Sequence, residues 1–518
     1  MKLADMLVRD FLELSAERLP EKIALVCDGK RLTYSQIDAM ADRLAQAMQA
    51  KGLRRGDRVA VYLNNSVEAV AGIFATLKAG GVFVPVNPTT KRDKLIYILD
   101  NCRASGLLAE SRQAAMVGEL PDHVPFLRFS VICGDLPAAG LDFKSSTAPV
   151  LGFDAIQNEF PAVRPARVNI DLDLACLIYT SGTTGDPKGV MCDHSNMVFA
   201  ASSIISYLKN VEEDIVIGIL PLSFDYGLYQ LLMTFKFGGT LVLERGFAYP
   251  APVLKRIEEE HVTGFPGVPT IFAILVRMDL SAYDLSSLRY LTNTAAALPP
   301  SHIQELRAKF PWATLFSMYG LTETKRTLYL PPDQLEARPG SVGIAIPGTE
   351  VWIEDENGKR LGAGEIGELV VRGRHVMRGY WEAPEATAAR YRPGSIPGER
   401  LCYTGDLFRM DDEGYLYFVS RKDDIIKSRG EKVAPKEVEN VLYSLQGVVE
   451  AAVIGVPDPI LGQALKAILV VNDSQVSEGK VLAHCRQNLE DFMVPKFVEF
   501  RESLPKTSSG KIKKTDLT

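Results

Sequence analysis

Leu177-Ile-Tyr-Thr-Ser-Gly-Thr-Thr-Gly-Asp-Pro-Lys-Gly-Val-Met191 joins an apolar run to a small, hydroxyl-rich loop. The run ends at Thr180 and reads as a buried strand. A new periodic segment opens near His194. Strand, loop and helix in this order predict a phosphate cradle. Glycines let backbone amides approach an anion, hydroxyls add donors, and a lysine adds a point charge. The cradle residues are Thr180, Ser181, Gly182, Thr183, Thr184, Gly185 and Lys188. This is not a Walker A loop, because the Gly-x-x-x-x-Gly-Lys-Ser/Thr spacing is absent and Pro187 precedes the lysine. Alone, such a loop reads equally well as a surface connection, so the rest of the chain must decide.

Upstream, Ile37, Met40, Ala41, Leu44 and Met48 follow one helical face, with Ser35 and Asp38 as a capping box and Gly52 as the stop. Strand-like runs at 58–63 and 82–86 flank a buried helix at 69–78. That alternation predicts a parallel α/β sheet. The span 111–167 is richer in Pro, Gly and Ser and reads as irregular. Downstream, strands are predicted at 215–220, 240–243, 288–292 and 314–318. Small or polar residues follow their carboxyl ends, where open α/β sheets hold ligands. Beyond Pro331 the texture becomes short strands with Gly turns, Asn357-Gly358 among them. Charge and glycine cluster again over 421–430, and an α+β unit closes the chain.

The length of 518 residues exceeds one hydrophobic core. The expected domains are 1–422 and 423–518. A 47% hydrophobic, 24% charged composition is that of a soluble globular protein, and a net charge of −6 argues against a nucleic-acid partner. Seven scattered cysteines without a Cys-x-x-Cys pair point to reduced thiols. The N-terminus has acidic residues where a signal peptide needs an apolar core, and no apolar run is long enough to span a membrane. A cytoplasmic location is expected.

In order, the 180–189 loop, Tyr319-Gly-Leu-Thr-Glu323, Tyr403-Thr-Gly-Asp406, the 420–424 stretch with Gly430-Glu-Lys432, and Pro505-Lys-Thr-Ser-Ser-Gly-Lys511 resemble the adenylate-forming superfamily. Its members are acyl- and aryl-CoA synthetases, adenylation domains of peptide synthetases, and firefly luciferase. The similarity runs almost end to end. It implies a large N-terminal α/β domain of stacked sheets with a small β-barrel-like unit, and a smaller, mobile α+β C-terminal domain. It implies ATP-dependent activation of a carboxylic acid to an acyl-adenylate, then transfer to a thiol, with Mg2+ and CoA.

By the same resemblance, Tyr319 stacks on adenine with Gly320 beside it, and Thr322 donates to the α-phosphate. Glu323 ligates Mg2+, a hard cation suited to carboxylate oxygen. Asp406 accepts from the ribose hydroxyls, joined by Arg421. Lys511 swings in to bridge carboxylate and α-phosphate, a task that suits a compact ammonium. Asp423 matches the hinge, and Gly430 lines the pantetheine tunnel of the second pose.

The chain departs from the family pattern in two places. Phe224-Asp225 stands where many CoA synthetases have an aromatic-His pair. It is similar to amino-acid-activating domains, whose aspartate binds the substrate ammonium; alternatively Asp225 caps a helix starting near Tyr226. Thr294-Ala-Ala-Ala297 replaces a Gly-Ala-Pro-like adenine stretch, leaving Ala295 and Ala296 a backbone role. Phe224, Asp225, Gly267 and Thr294 are the expected acyl pocket. Two other readings stand beside an acyl-CoA synthetase: an adenylation enzyme loading the phosphopantetheine of a separate carrier protein, and an inactive ATP-binding protein.

Overall fold

The computed structural model describes residues 6–134, 148–180, 187–294, 298–428, 431–458, 462–507 and 510–517. A first sheet of seven strands runs in the order Val150–Gly152, Phe129–Cys133, Ala104–Glu110, Arg58–Tyr62, Val82–Pro85, Leu174–Thr180, Lys188–Asp193. Neighbours are parallel except for the last pair, an antiparallel hairpin.

The second sheet has fourteen strands. Its parallel half comprises Ile23–Cys27, Thr240–Leu243, Ile215–Gly218, Gly264–Gly267, Tyr290–Asn293 and Thr314–Tyr319. It continues antiparallel through Leu328–Leu330, Ser341–Ala345, Leu416–Arg421, Arg400–Met410, Ile366–Gly373 and Thr349–Glu354. The segment expected as a barrel-like unit is therefore an extension of this open sheet, and its described strands do not close. Leu328–Leu330 hydrogen-bonds onto Thr314–Tyr319 and so covers the edge of the parallel half.

Helices lie between the two sheets. Val67–Lys78 and Asp225–Phe237 are buried nearly all round, as helices covered on both faces must be. They meet at Phe74 and Phe235, whose rings stack 5.3 Å apart. Lys78 ends the first of them with no exposed surface, 2.6 Å from both Asp38 Oδ1 and Asp42 Oδ1. Burial pushes the Asp42 carboxyl up, and Lys78 opposes it.

Two local readings change. The first long helix is Tyr34–Ala50, capped by Thr33 and Gln36 rather than Ser35 and Asp38. The span read as irregular contributes the buried strand Phe129–Cys133 and the edge strand Val150–Gly152. Short strands buried by neighbours carry little period of their own.

After Arg421 the chain makes a 3-10 turn, Lys422–Asp424, and enters a smaller sheet. That sheet is ordered Glu431–Val433, Ile426–Ser428, Gly462–Val471, Val448–Asp458, with Phe497–Phe500 parallel to Gly462–Val471. Helices Pro435–Ser444 and Glu478–Asn488 contribute Val438, Leu442, Val481 and Cys485 to its separate core.

Candidate active site

Three strand ends build the site. Phe224 and Asp225 follow the strand Ile215–Gly218, Thr294 follows Tyr290–Asn293, and Gly320 follows Thr314–Tyr319. With Thr322 they line one cleft, into which Lys511 also projects. A Cβ on Gly320 would meet the Lys325 carbonyl oxygen at 1.8 Å, so only glycine lets the chain fold back here.

Lys511 is presented by a tight turn. The Thr507 amide donates to the Lys511 carbonyl at 2.7 Å, and the Lys511 amide donates to Thr507 Oγ1 at 3.1 Å. Gly510 takes φ +80°, and a Cβ there would stand 3.1 Å from Thr270 Oγ1 of the larger lobe. The tip of the small lobe thus rests against the helix Pro269–Leu275. Withdrawal from water lowers the Lys511 ammonium from its ordinary value, and Arg421 adds to this; Asp406, Glu323 and Asp225 oppose it. Lys511 lines the cleft and is at the same time exposed to solvent.

At the nucleotide end, the Tyr319 hydroxyl donates to Asp406 Oδ2 at 2.6 Å. Arg421, directly across the ladder from Asp406, puts Nε 3.3 Å from Oδ1. That buried oxygen accepts no hydrogen bond among the described residues. Burial raises the Asp406 carboxyl, while Tyr319 and Arg421 hold it down. The Tyr319 ring packs edge-on against Phe408 at 5.0 Å.

Glu323 is buried and accepts from the Tyr380 hydroxyl at 2.6 Å. The Tyr380 ring faces the Lys188 ammonium, 5.8 Å from its centroid. Tyr380 belongs to a segment that hydrogen-bonds to the hairpin: Met191 N–H to Gly379 at 2.9 Å and Trp381 N–H to Gly189 at 2.7 Å. Sequence reasoning missed Tyr380, because its link to Glu323 spans 57 positions and follows no spacing rule. No three His, Cys, Asp or Glu side chains cluster as a metal cage among the described residues. One carboxylate suits Mg2+ when phosphates and waters supply the other ligands.

The capping reading of Asp225 does not hold. Phe224 is the N-cap and Asp225 the first helical residue, with no side-chain cap. Its carboxylate lies 2.6 Å from Lys325 Nζ and 3.8 Å from Arg326 Nη1. Asp225 thus already pairs with an ammonium of the protein's own, where the sequence reading set a substrate amine beside it. Burial works to lower that ammonium, but Asp225 overrides it and holds Lys325 above the usual lysine range. Lys325 and Arg326 were legible as residues following Glu323, yet nothing local linked them to Asp225, 100 positions away.

The cradle residues Ser181, Gly182, Thr183, Thr184 and Gly185, the adenine-stretch residues Ala295 and Ala296, and Gly430 lie outside the described residues. Thr180 and Lys188 frame the loop as cross-strand partners. The strands on either side of the loop therefore pair antiparallel, and the helix His194–Leu208 begins only after the returning strand, where strand, loop and helix were expected in direct succession. Asp423 sits in the turn Lys422–Asp424 between the two lobes' sheets. Gly267 ends its strand against Phe272, where a Cβ would come within 2.8 Å of the ring, and does not line the cleft holding Lys511.

Residues 12–381 match the model of the AMP-binding enzyme family, and residues 437–511 match that of the AMP-binding enzyme C-terminal domain. The chain belongs to this family. It is an AMP-forming acid–thiol ligase of the acyl-CoA synthetase type. The ligase is 34% identical to a long-chain-fatty-acid–CoA ligase of Bacillus subtilis, over 96% of this chain and 91% of the relative. It is 35% identical to a feruloyl-CoA synthase of an Amycolatopsis species, over 97% and 96%. The solved anthranilate CoA ligase in complex with anthranoyl-AMP superposes with a TM-score of 0.91 at 29% identity, covering 99% of this ligase and 97% of that chain. No helix among the described residues is long and apolar enough to cross a membrane.

Proposed function

We propose that the ligase joins a carboxylic acid to ATP as an acyl-adenylate, releasing pyrophosphate, and then passes the acyl group to the thiol of CoA. The observation that carries this reading is Lys511, held by the small lobe in the same cleft as Thr322 and within electrostatic reach of Glu323 and Asp406. As the substrate carboxylate attacks the α-phosphorus, negative charge is shared between the attacking oxygen and the phosphate. An ammonium held beside that charge stabilises it. Thr322 donates to the same phosphate. Asp406, whose Oδ1 accepts no hydrogen bond among the described residues, accepts from ribose hydroxyls beside Tyr319, which lies along adenine. Lys188 and the hairpin loop hold the β- and γ-phosphates.

Glu323, oriented by Tyr380, would hold Mg2+, which supplies charge neutralisation to the departing pyrophosphate. Thiol transfer needs a second arrangement, reached by rotation about Asp423 in the turn between the lobes; a few loop residues absorb such a change. Gly430 then lines the thiol's path. The Asp225–Lys325 pair disfavours amino-acid substrates, so CoA is preferred to an amino-acid carrier protein as acceptor. The seven buried, free cysteines support a reducing, cytoplasmic setting. The test is acid-dependent pyrophosphate exchange followed by thioester formation with CoA or a holo carrier protein. Exchange with amino acids alone overturns the reading.

A further inference from the structure

The floor of the cleft holds more positive charge than the reaction uses. Lys325 is wholly buried, with its ammonium on Asp225 Oδ1 and 5.5 Å from the centroid of the Tyr229 ring. It adopts φ 59°, a left-handed conformation that a lysine takes only when its surroundings enforce it. The next residue, Arg326, is 2% exposed and lies over the Tyr226 ring at 4.4 Å. Two cations therefore face one carboxylate. Asp225 is already committed to Lys325, and Arg326 reaches it only through Nη1, at 3.8 Å. Nε and Nη2 of Arg326 are buried and donate to nothing among the described residues. Thr294 Oγ1, on the same cleft wall, is likewise buried without a partner.

A buried guanidinium with two idle donors is costly unless something fills them. Its planar fork fits a carboxylate with two parallel hydrogen bonds. In the proposed reaction the carboxylate under activation is engaged by Lys511, which leaves the Arg326 donors for a second acidic group. Arg326, Thr294 and Lys511 line the same small cleft, so a substrate that reaches from Lys511 to Arg326 is short.

We propose that the acid substrate is a short dicarboxylic acid, one carboxylate being activated while the other is bound by Arg326 with Thr294 beside it. Arg326 is then the specificity-determining residue. This rests on the ligase reading and deepens it by naming the substrate class.

The test is AMP release by the full-length protein with Mg–ATP and CoA, using three- to six-carbon monocarboxylic acids and the dicarboxylic acids of equal length. A preference of about 100-fold in kcat/KM for a dicarboxylic acid is expected, because a site built for a polar group strongly rejects analogues lacking it. Arg326→Met erases that ratio, and Arg326→Lys restores part of it. Melting curves with and without ATP establish that both variants fold and bind nucleotide. Equal use of both acid series by the wild type overturns the proposal, as does an unchanged ratio in folded Arg326→Met; both leave the ligase reading intact. AMP release with none of these acids, despite ATP binding, overturns the proposal alone; the ligase reading falls only if long-chain and aryl acids fail as well.

Discussion

Lys325 Nζ lies 2.6 Å from Asp225 Oδ1, joining the loop after the Tyr319–Glu323 motif to the first turn of a buried helix 100 positions earlier. This pair fixes the cleft floor. Asp225→Ala leaves Lys325 and Arg326 buried without a counter-charge, and a loss of about 3–5 kcal/mol in unfolding free energy is expected. Denaturant unfolding measures it. A loss within ~0.5 kcal/mol, the usual size of a neutral surface change, sinks the idea that the pair organises the floor.

Lys511→Ala should lower acid-dependent pyrophosphate exchange by about 100- to 1,000-fold, the usual cost of removing one donor aimed at developing charge. ATP affinity by calorimetry should change little.

The pH dependence gives an independent check on the same lysine. Its folded value is lowered by withdrawal from water and by Arg421, and its active form is the cation. Activity is therefore full at low alkalinity and falls as pH rises through that lowered value, before the ~10.4 of a free lysine. Lys511→Arg should carry the descending limb to higher pH. A limb that stays in place assigns it to another group.

Tyr380→Phe keeps the ring facing Lys188 but removes the donor to Glu323. The Mg2+ concentration for half-maximal exchange should rise about 10-fold, the lower end of the effect seen when a partner of a metal ligand is lost. Exchange at saturating Mg2+ should largely recover. Failure to recover would mean that Tyr380 acts beyond positioning.

Asp423→Pro stiffens the turn between the sheets. Pyrophosphate exchange should persist while thioester formation drops about 10-fold or more, since lobe rotation gates only the second step. Equal losses in both steps remove Asp423 from the hinge.

Lys78→Met removes the buried cation that Asp38 and Asp42 share, none of the three lining the cleft. It should cost about 3–5 kcal/mol by denaturant unfolding while ATP affinity of the folded protein stays unchanged.

Much of the fold was legible in the chain. Apolar runs of strand length and helices such as Val67–Lys78 carry their own periods, so their type follows from local patterning. The motif residues Tyr319, Glu323, Asp406 and Lys511 were picked out by the resemblance of the stretches that carry them to the adenylate-forming superfamily, not by composition or period. What local patterning could not reach were pairings between distant stretches. The hairpin after Thr180 was read as leading to a helix, because a strand returning against its neighbour looks the same in sequence as any short apolar run. Phe129–Cys133 joined the first sheet only because neighbours satisfy its backbone. Tyr380 against Glu323, and Lys325 against Asp225, are long-range contacts set by how the sheets and the buried helix pack. Sequence determined which chemical groups the protein owns and the elements that carry them. Tertiary structure alone decided which charges meet, because a buried ion pair depends on packing across the whole core and leaves no spacing to read.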